Sequence, residues 1–255
     1  MKTILVIGNS LTAGIPGARY TTRLAEALPE YHFIFDGLGG DILAGAAQRT
    51  ARRLENLAPD LLVLEIGAND ILLPYLSERG GLWKIWADWK IRSGNQPCLT
   101  PASFGALYIQ TIQQVRQHGI PQVLVTTISC LGERLDNPQN RLRQAYNAQI
   151  EEVASQEGLF CAPLGEAFDR LLSSLSHPSG YLLARYSLML FDALVTRVEA
   201  CADWVSRQRG LRLTTDGVHL NRQGASLMTQ TIAGQIRSAL TNPADDIAEN
   251  KNPDQ

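Results

Sequence analysis

A serine in "IGNSLTAG" (7–14), a glycine in "GLGGDIL" (37–43), an asparagine in "EIGANDI" (65–71) and an Asp/His pair in "TTDGVHLN" (214–221) are the residues of this chain best suited to chemistry. Acyl transfer to a serine hydroxyl needs a base within hydrogen-bond reach, an acid that orients the base, and N–H donors for the developing oxyanion. Ser10 supplies a hydroxyl. Of the four histidines, only His219 has a carboxylate at the right short distance: Asp216 lies three residues ahead, so a single turn brings it to the imidazole. His32 sits in a strand-like run and His177 in a loop, while His118 ends a helical pattern, where an imidazole serves the helix dipole. Asn69 offers a side-chain N–H pair, and Gly40 a backbone N–H where the chain can approach closely.

The elements that must position these residues are legible as alternating patterns. The run Lys2–Gly8 is apolar and β-branched without a turn residue, which predicts a fully buried strand with Ser10 just past its carboxyl end. Strand-like runs recur at 3–7, 31–35, 61–66, 122–128 and 159–162, separated by helical patterns at 18–28, 42–58, 102–118 and about 138–156. That alternation is the signature of a parallel sheet covered on both faces. Ligands and catalytic groups collect beyond the carboxyl ends of such strands, so three strand ends and one late loop converge on one edge. No internal repeat or linker divides the chain, and one domain over 1–240 is expected. Two stretches exceed a short connection and read as insertions near the carboxyl edge: about 71–101, with Trp83, Trp86 and Trp89 three residues apart, and about 170–212. Residues 241–255 carry four acids and one lysine and are expected to be a disordered tail.

Composition narrows the partners. With 45% hydrophobic and 19% charged residues the chain can bury a sizeable core, and its net charge of −2 without a Lys/Arg cluster argues against nucleic acid or anionic membrane as main partner. The longest apolar stretch, 181–195, contains Arg185 and Asp192 and is too short to span a bilayer. The amino terminus carries no secretory pattern, so a cytoplasmic location is expected. Cys98, Cys130, Cys161 and Cys201 are scattered, which indicates neither a zinc site nor a disulfide framework. No metal or organic cofactor is expected, and nothing in the pattern specifies an oligomer.

In order and spacing the four segments resemble the SGNH or GDSL hydrolases, whose pattern is Gly-Asp-Ser-Leu after the first strand, a glycine after the second, Gly-x-Asn-Asp after the third and Asp-x-x-His near the end. Here these read "GNSL" (8–11), Gly40, "GAND" (67–70) and "DGVH" (216–219), spanning residue 3 to about 240. The resemblance implies a flavodoxin-like three-layer α/β/α fold with a central parallel five-stranded sheet and helical insertions. It also implies Ser10 as nucleophile, His219 as base and Asp216 as its orienting acid, with the Ser10 and Gly40 amides and the Asn69 side chain as oxyanion hole. Asn9 departs from the usual aspartate; it is nearly isosteric and still accepts backbone N–H bonds, so activity is expected to persist with an altered pH dependence.

The expected activity is therefore a serine esterase or acylhydrolase on a small-molecule or lipid-like ester: an acyl-chain or aryl ester, with lysophospholipids and thioesters in range. A carbohydrate acetyl esterase is the alternative within the family. From a different class comes an inactive flavodoxin-like module whose "NSLTAG" turn holds a phosphate without any need of His219. Plainer roles compete at single residues: a helix cap for Ser10, a turn residue for Asp216, core packing for the tryptophans, loop support by backbone hydrogen bonds for Asp70, and a small apolar filler for Cys130.

Overall fold

The computed structural model describes residues 1–94 and 96–240, so the segment expected to be a disordered tail, 241–255, lies outside the described residues. Five strands, β1 (Thr3–Gly8), β2 (His32–Gly37), β3 (Leu61–Glu65), β4 (Val123–Thr126) and β5 (Phe160–Ala162), form a wholly parallel sheet in the order β2-β1-β3-β4-β5. The period-two alternation of side chains divides each central strand between two cores. Leu5, Ile7, Leu62, Leu64, Val123 and Val125 enter one, whereas Ile4, Val6, Leu61, Val63 and Leu124 enter the other. Both faces are therefore apolar, which is why these runs read as continuous rather than alternating.

Helices cover the two faces. α3 (Leu43–Leu54), α4 (Ala68–Glu78), α5 (Gly81–Arg92), α6 (Pro101–Gln117) and α7 (Pro138–Gln156) pack on the first core; α1 (Ser10–Ala13), α2 (Tyr20–Ala27), α8 (Leu164–Leu172) and α11 (Arg222–Leu240) pack on the second. The result is the flavodoxin-like three-layer α/β/α architecture. Sharp starts have local causes: Thr100 and Ser103 form a reciprocal capping box ahead of Pro101, and the Asn137 side chain accepts from the Asn140 amide ahead of Pro138.

The chain leaves β1 toward β2 and returns on the other side as β3, so the crevice between the carboxyl ends of β1 and β3 is the topological switch point. The structure differs from the sequence reading at α4, which starts at Ala68, ahead of the insertion expected from residue 71, and runs through Pro74. "GAND" and the internal proline both read as breaks, and burial of Ile71, Leu72, Leu73 and Leu76 overrides them. Within 170–212 the chain forms the end of α8, α9 (Tyr186–Val195) and α10 (Glu199–Gln208).

Candidate active site

Ser10 is the first residue of α1, directly after β1. The turn is made by Asn9, whose side-chain Oδ1 accepts the Leu11 amide at 2.9 Å, so the helix starts without help from a downstream loop. As the first helical residue, Ser10 leaves its own N–H without an intrahelical partner. His219 Nε2 lies 3.0 Å from Ser10 Oγ, and His219 Nδ1 lies 2.7 Å from Asp216 Oδ2. Asp216 Oδ1 meanwhile accepts the amides of Val218 and His219 at 3.0 and 2.8 Å. Burial would push the Asp216 carboxyl up, but the adjacent His219 and these hydrogen bonds hold it below the ordinary carboxylate range. A carboxylate ionised and fixed in this way keeps Nδ1 protonated and leaves Nε2 to accept from Ser10.

Gly40 and Asn69 stand on the same edge. Gly40 has φ +74°, a conformation that favours glycine, and an added Cβ would press on Lys90 Cε and Trp86 Cζ2 at 3.1 and 3.2 Å. Its amide makes no hydrogen bond to protein among the described residues. Asn69, in the first turn of α4, donates one Nδ2 hydrogen to the Asp41 carbonyl at 2.8 Å, and the other makes no hydrogen bond to protein among the described residues. Ser10, Gly40, Asn69 and His219 all line one cavity of about 290 Å³, while Asp216 stands behind the imidazole.

The rest of that cavity is apolar but for Lys90, whose Nζ donates to the Gly39 carbonyl at 2.9 Å. α4 contributes Leu72 and Leu76, α5 contributes Trp83 and Trp86, and α9 contributes Met189 and Ala193. The three tryptophans do not share one environment. A three-residue step falls short of a helical turn by about 60°, so the stripe rotates around the helix. Trp83 is buried edge-on against Tyr186, Trp86 is half-buried at the cavity, and Trp89 is 60% exposed.

Several residues that hold this arrangement carried no motif. Arg49 donates to the Gly8 carbonyl (2.8 Å), to Asp36 Oδ1 (2.6 Å) and to Asp41 Oδ2 (2.6 Å), tying the ends of β1 and β2 to the Gly40 loop. Glu133 is fully buried, and its carboxylate accepts the amides of Arg212, Leu213 and Thr214 at 2.6 to 2.8 Å and the Thr214 hydroxyl at 2.8 Å. Arg209, paired with buried Asp192, donates to the Thr215 carbonyl at 2.7 Å. Glu65, at the end of β3, accepts from Asn9 and Thr12. One sequence signal was present for Glu65, a charge inside the apolar run "LLVLEI". Asp70 supports loops: it accepts the Leu43 and Cys98 amides, each at 3.0 Å, and burial pushes its carboxyl up to about 6. Cys130 is buried in the second core, where burial pushes its thiol far up, away from nucleophile behaviour. His32, His118 and His177 are exposed and line no part of the cavity.

Among the described residues no group of three or more His, Cys, Asp or Glu is arranged to hold a metal, and no helix is long and apolar enough to cross a membrane. No curated protein matches the chain. Solved structures do. An alpha/beta hydrolase enzyme, LAE5, from the metagenome of Lake Arreo, Spain, superimposes with a TM-score of 0.62 at 16% identity over 94% of this chain and 97% of that one. Axe2, an acetylxylan esterase from Geobacillus stearothermophilus, gives 0.62 at 14% over 92% and 94%. The acetyl xylan esterase AlAXEase gives 0.59 at 20% over 94% and 100%. Catalytic mutants of Axe2 replace a serine, an aspartate and, three residues on, a histidine. At these identities the likeness establishes the fold. The family model of the GDSL-like Lipase/Acylhydrolase family matches residues 6–227, most of the chain: this protein belongs to that family and is an ester-bond hydrolase.

Proposed function

We propose that Ser10 is the nucleophile of this esterase, with His219 as general base, Asp216 as the acid that orients it, and the amides of Ser10 and Gly40 with the Asn69 side chain as oxyanion hole. The observation that carries the reading is the 3.0 and 2.7 Å relay from Ser10 through His219 to Asp216, opening on a largely apolar cavity. Ser10 Oγ attacks the ester carbonyl as His219 Nε2 takes its proton, and the resulting oxyanion is met by donors that need no rearrangement. His219 then protonates the departing alcohol, leaving an acyl-enzyme. Water, deprotonated by the same imidazole, attacks the acyl carbon, and collapse of the second tetrahedral intermediate returns the proton to Ser10 and releases the acid.

The substrate we favour is an acyl-chain or aryl ester, small or lipid-like. The apolar lining from α4, α5 and α9 supports it, and 290 Å³ lies at the lower end of ligand pockets, which run from about 300 to 1,000 Å³, so a short to medium chain fits best. A cytoplasmic setting belongs to the same reading. The second reading is a carbohydrate acetyl esterase, favoured by structural neighbours named as acetylxylan esterases. Hydrolysis of p-nitrophenyl esters from acetate to a long acyl chain, by the wild type and by Ser10→Ala, tests both. We expect turnover that vanishes in the variant and peaks beyond acetate; a peak at acetate with turnover of acetylated xylo-oligosaccharides would favour the second reading. Unchanged turnover in Ser10→Ala would reject the nucleophile.

A further inference from the structure

Glu65 is buried beneath the Ser10 turn, and the proposed hydrolysis assigns it no step. Its Oε1 faces Asn9 Nδ2 at 3.2 Å; its Oε2 accepts from Thr12 Oγ1 at 2.9 Å and faces the Asn9 amide at 3.4 Å. Thr12 Oγ1 is in turn 2.8 Å from the hydroxyl of buried Tyr20. If Thr12 donates to Glu65, Tyr20 donates to Thr12, giving a directed chain from α2 through α1 to the end of β3. Among the described residues the Glu65 oxygens meet hydrogen-bond donors and no guanidinium or ammonium group. The titratable groups that face it are Tyr20, from α2 across Thr12, and Tyr108, from α6. The absence of a side chain at position 8 makes room for this arrangement: a Cβ on Gly8 would lie 2.0 Å from Thr12 Oγ1 and 2.8 Å from Glu65 Oε2.

The side-chain amide at position 9 is therefore used at both ends. Its oxygen caps Leu11 and starts the helix that presents Ser10, so its nitrogen must point at Glu65. We propose that Asn9 and Glu65 are a matched donor and acceptor pair, with Glu65 a positioning residue that fixes the Ser10 turn from below. Asparagine stands at position 9 because a carboxylate there would face the Glu65 carboxylate. This inference rests on Ser10 as nucleophile for its kinetic reading, though not for its structural one. Burial pushes the Glu65 carboxyl up to about 7 against the lowering effect of the Thr12 and Asn9 donors, so a second negative charge beside it would force the two carboxyls to share a proton.

The test uses Asn9→Asp, Glu65→Gln and the double variant, in which a carboxylate acceptor at position 9 would face an amide donor at position 65. The readouts are the rate of Ser10 labelling by a fluorophosphonate and the melting temperature, both from pH 5.5 to 8.5. For Asn9→Asp we expect labelling about tenfold slower than wild type at pH 8.5 and close to wild type at pH 5.5, where one proton can be shared. The double variant should return to within about twofold of wild type across the range, because donor and acceptor are again complementary. Melting temperatures should follow the same pattern, with a deficit in Asn9→Asp that grows with pH and closes when Glu65→Gln is added. An Asn9→Asp profile that overlays the wild type, or a double variant no better than Asn9→Asp, including failure of both to fold, overturns the pairing. A wild type that takes no label on Ser10 refutes the nucleophile instead, and the melting cycle still decides the pair.

Discussion

The two halves of the proposed active site are held by different physics. Ser10, Gly40 and Asn69 follow the carboxyl ends of three adjacent parallel strands, so the sheet register itself brings them to one edge: Gly8 lies opposite Gly37 of β2 and Glu65 of β3. Asp216 and His219 have no strand of the sheet beneath them. Their loop has one isolated bridge, Thr214 to Leu220, and is fixed otherwise by buried charge together with loop hydrogen bonds, among them the Gly132 amide to the Gly217 carbonyl and the Leu183 amide to the Asp216 carbonyl. The Glu133 carboxylate gathers three successive amides, and the Arg209 guanidinium holds the Thr215 carbonyl. Where the sheet supplies position, its backbone hydrogen bonds come as part of the fold. Where it does not, buried ions and long-range loop hydrogen bonds do so together, and removing one partner of such an ion leaves an unanswered charge or polar group.

The contrast can be broken most sharply at the relay. Asp216→Asn should lower kcat by about 10⁴-fold, since the imidazole loses both its tautomer and its orientation. Asn69→Ala, on the strand side, removes one donor and should cost about 10² to 10³ in kcat, with a melting temperature near wild type. Steady-state kinetics beside thermal melts separate the two. Next comes Glu133→Gln, which touches no substrate. An amide cannot gather the same three amides with one acceptor oxygen, so kcat should fall about 10 to 100-fold and stability by about 2–4 kcal/mol. A normal melt and normal kcat would show that the loop holds itself.

Acid and base also separate the halves. Asp216 sits below the ordinary carboxylate range, so the stability it contributes is present above its unfolded value, near 3.9, and is lost as pH falls through the lower folded one. Glu65 is raised from 4.5 to about 7, so its contribution is full below 4.5 and is lost as pH rises through 7. Glu65→Gln should therefore flatten the fall in melting temperature between pH 5 and 8, while Asp216→Asn should alter only the acid limb. The smallest effects are expected on α5. Trp86→Ala should shift chain-length preference a few-fold, and exposed Trp89→Ala should stay within about 0.5 kcal/mol of wild type with unchanged preference.

What the sequence disclosed follows the same division. Strand-end residues were legible because apolar runs stop visibly: β1 lies within the apolar stretch read at 2–8, and β3 and β4 lie within the runs read at 61–66 and 122–128. The Asp216 and His219 pair was legible because its partners are three residues apart. Glu133 was not: it contacts residues about 80 positions away, and its own neighbours, "CLGERL", look like any loop. Arg49 reads as one of several arginines on an amphipathic helix, although it ties two strand ends together. Pro74 concealed α4, and the three tryptophans share a spacing but not an environment. Long-range ionic contacts leave no local period, so pattern reading passes over them.

The central claim is that Ser10 is the group that takes the acyl chain, and covalent capture tests it most directly. The wild type, His219→Ala and Ser10→Ala would each be treated with a fluorophosphonate, digested and read by mass spectrometry. The account predicts one adduct, on the peptide carrying Ser10, formed at least 10²-fold more slowly, by order of magnitude, without His219 and absent from Ser10→Ala. An adduct on another residue, or equal labelling of Ser10 with and without His219, would contradict it.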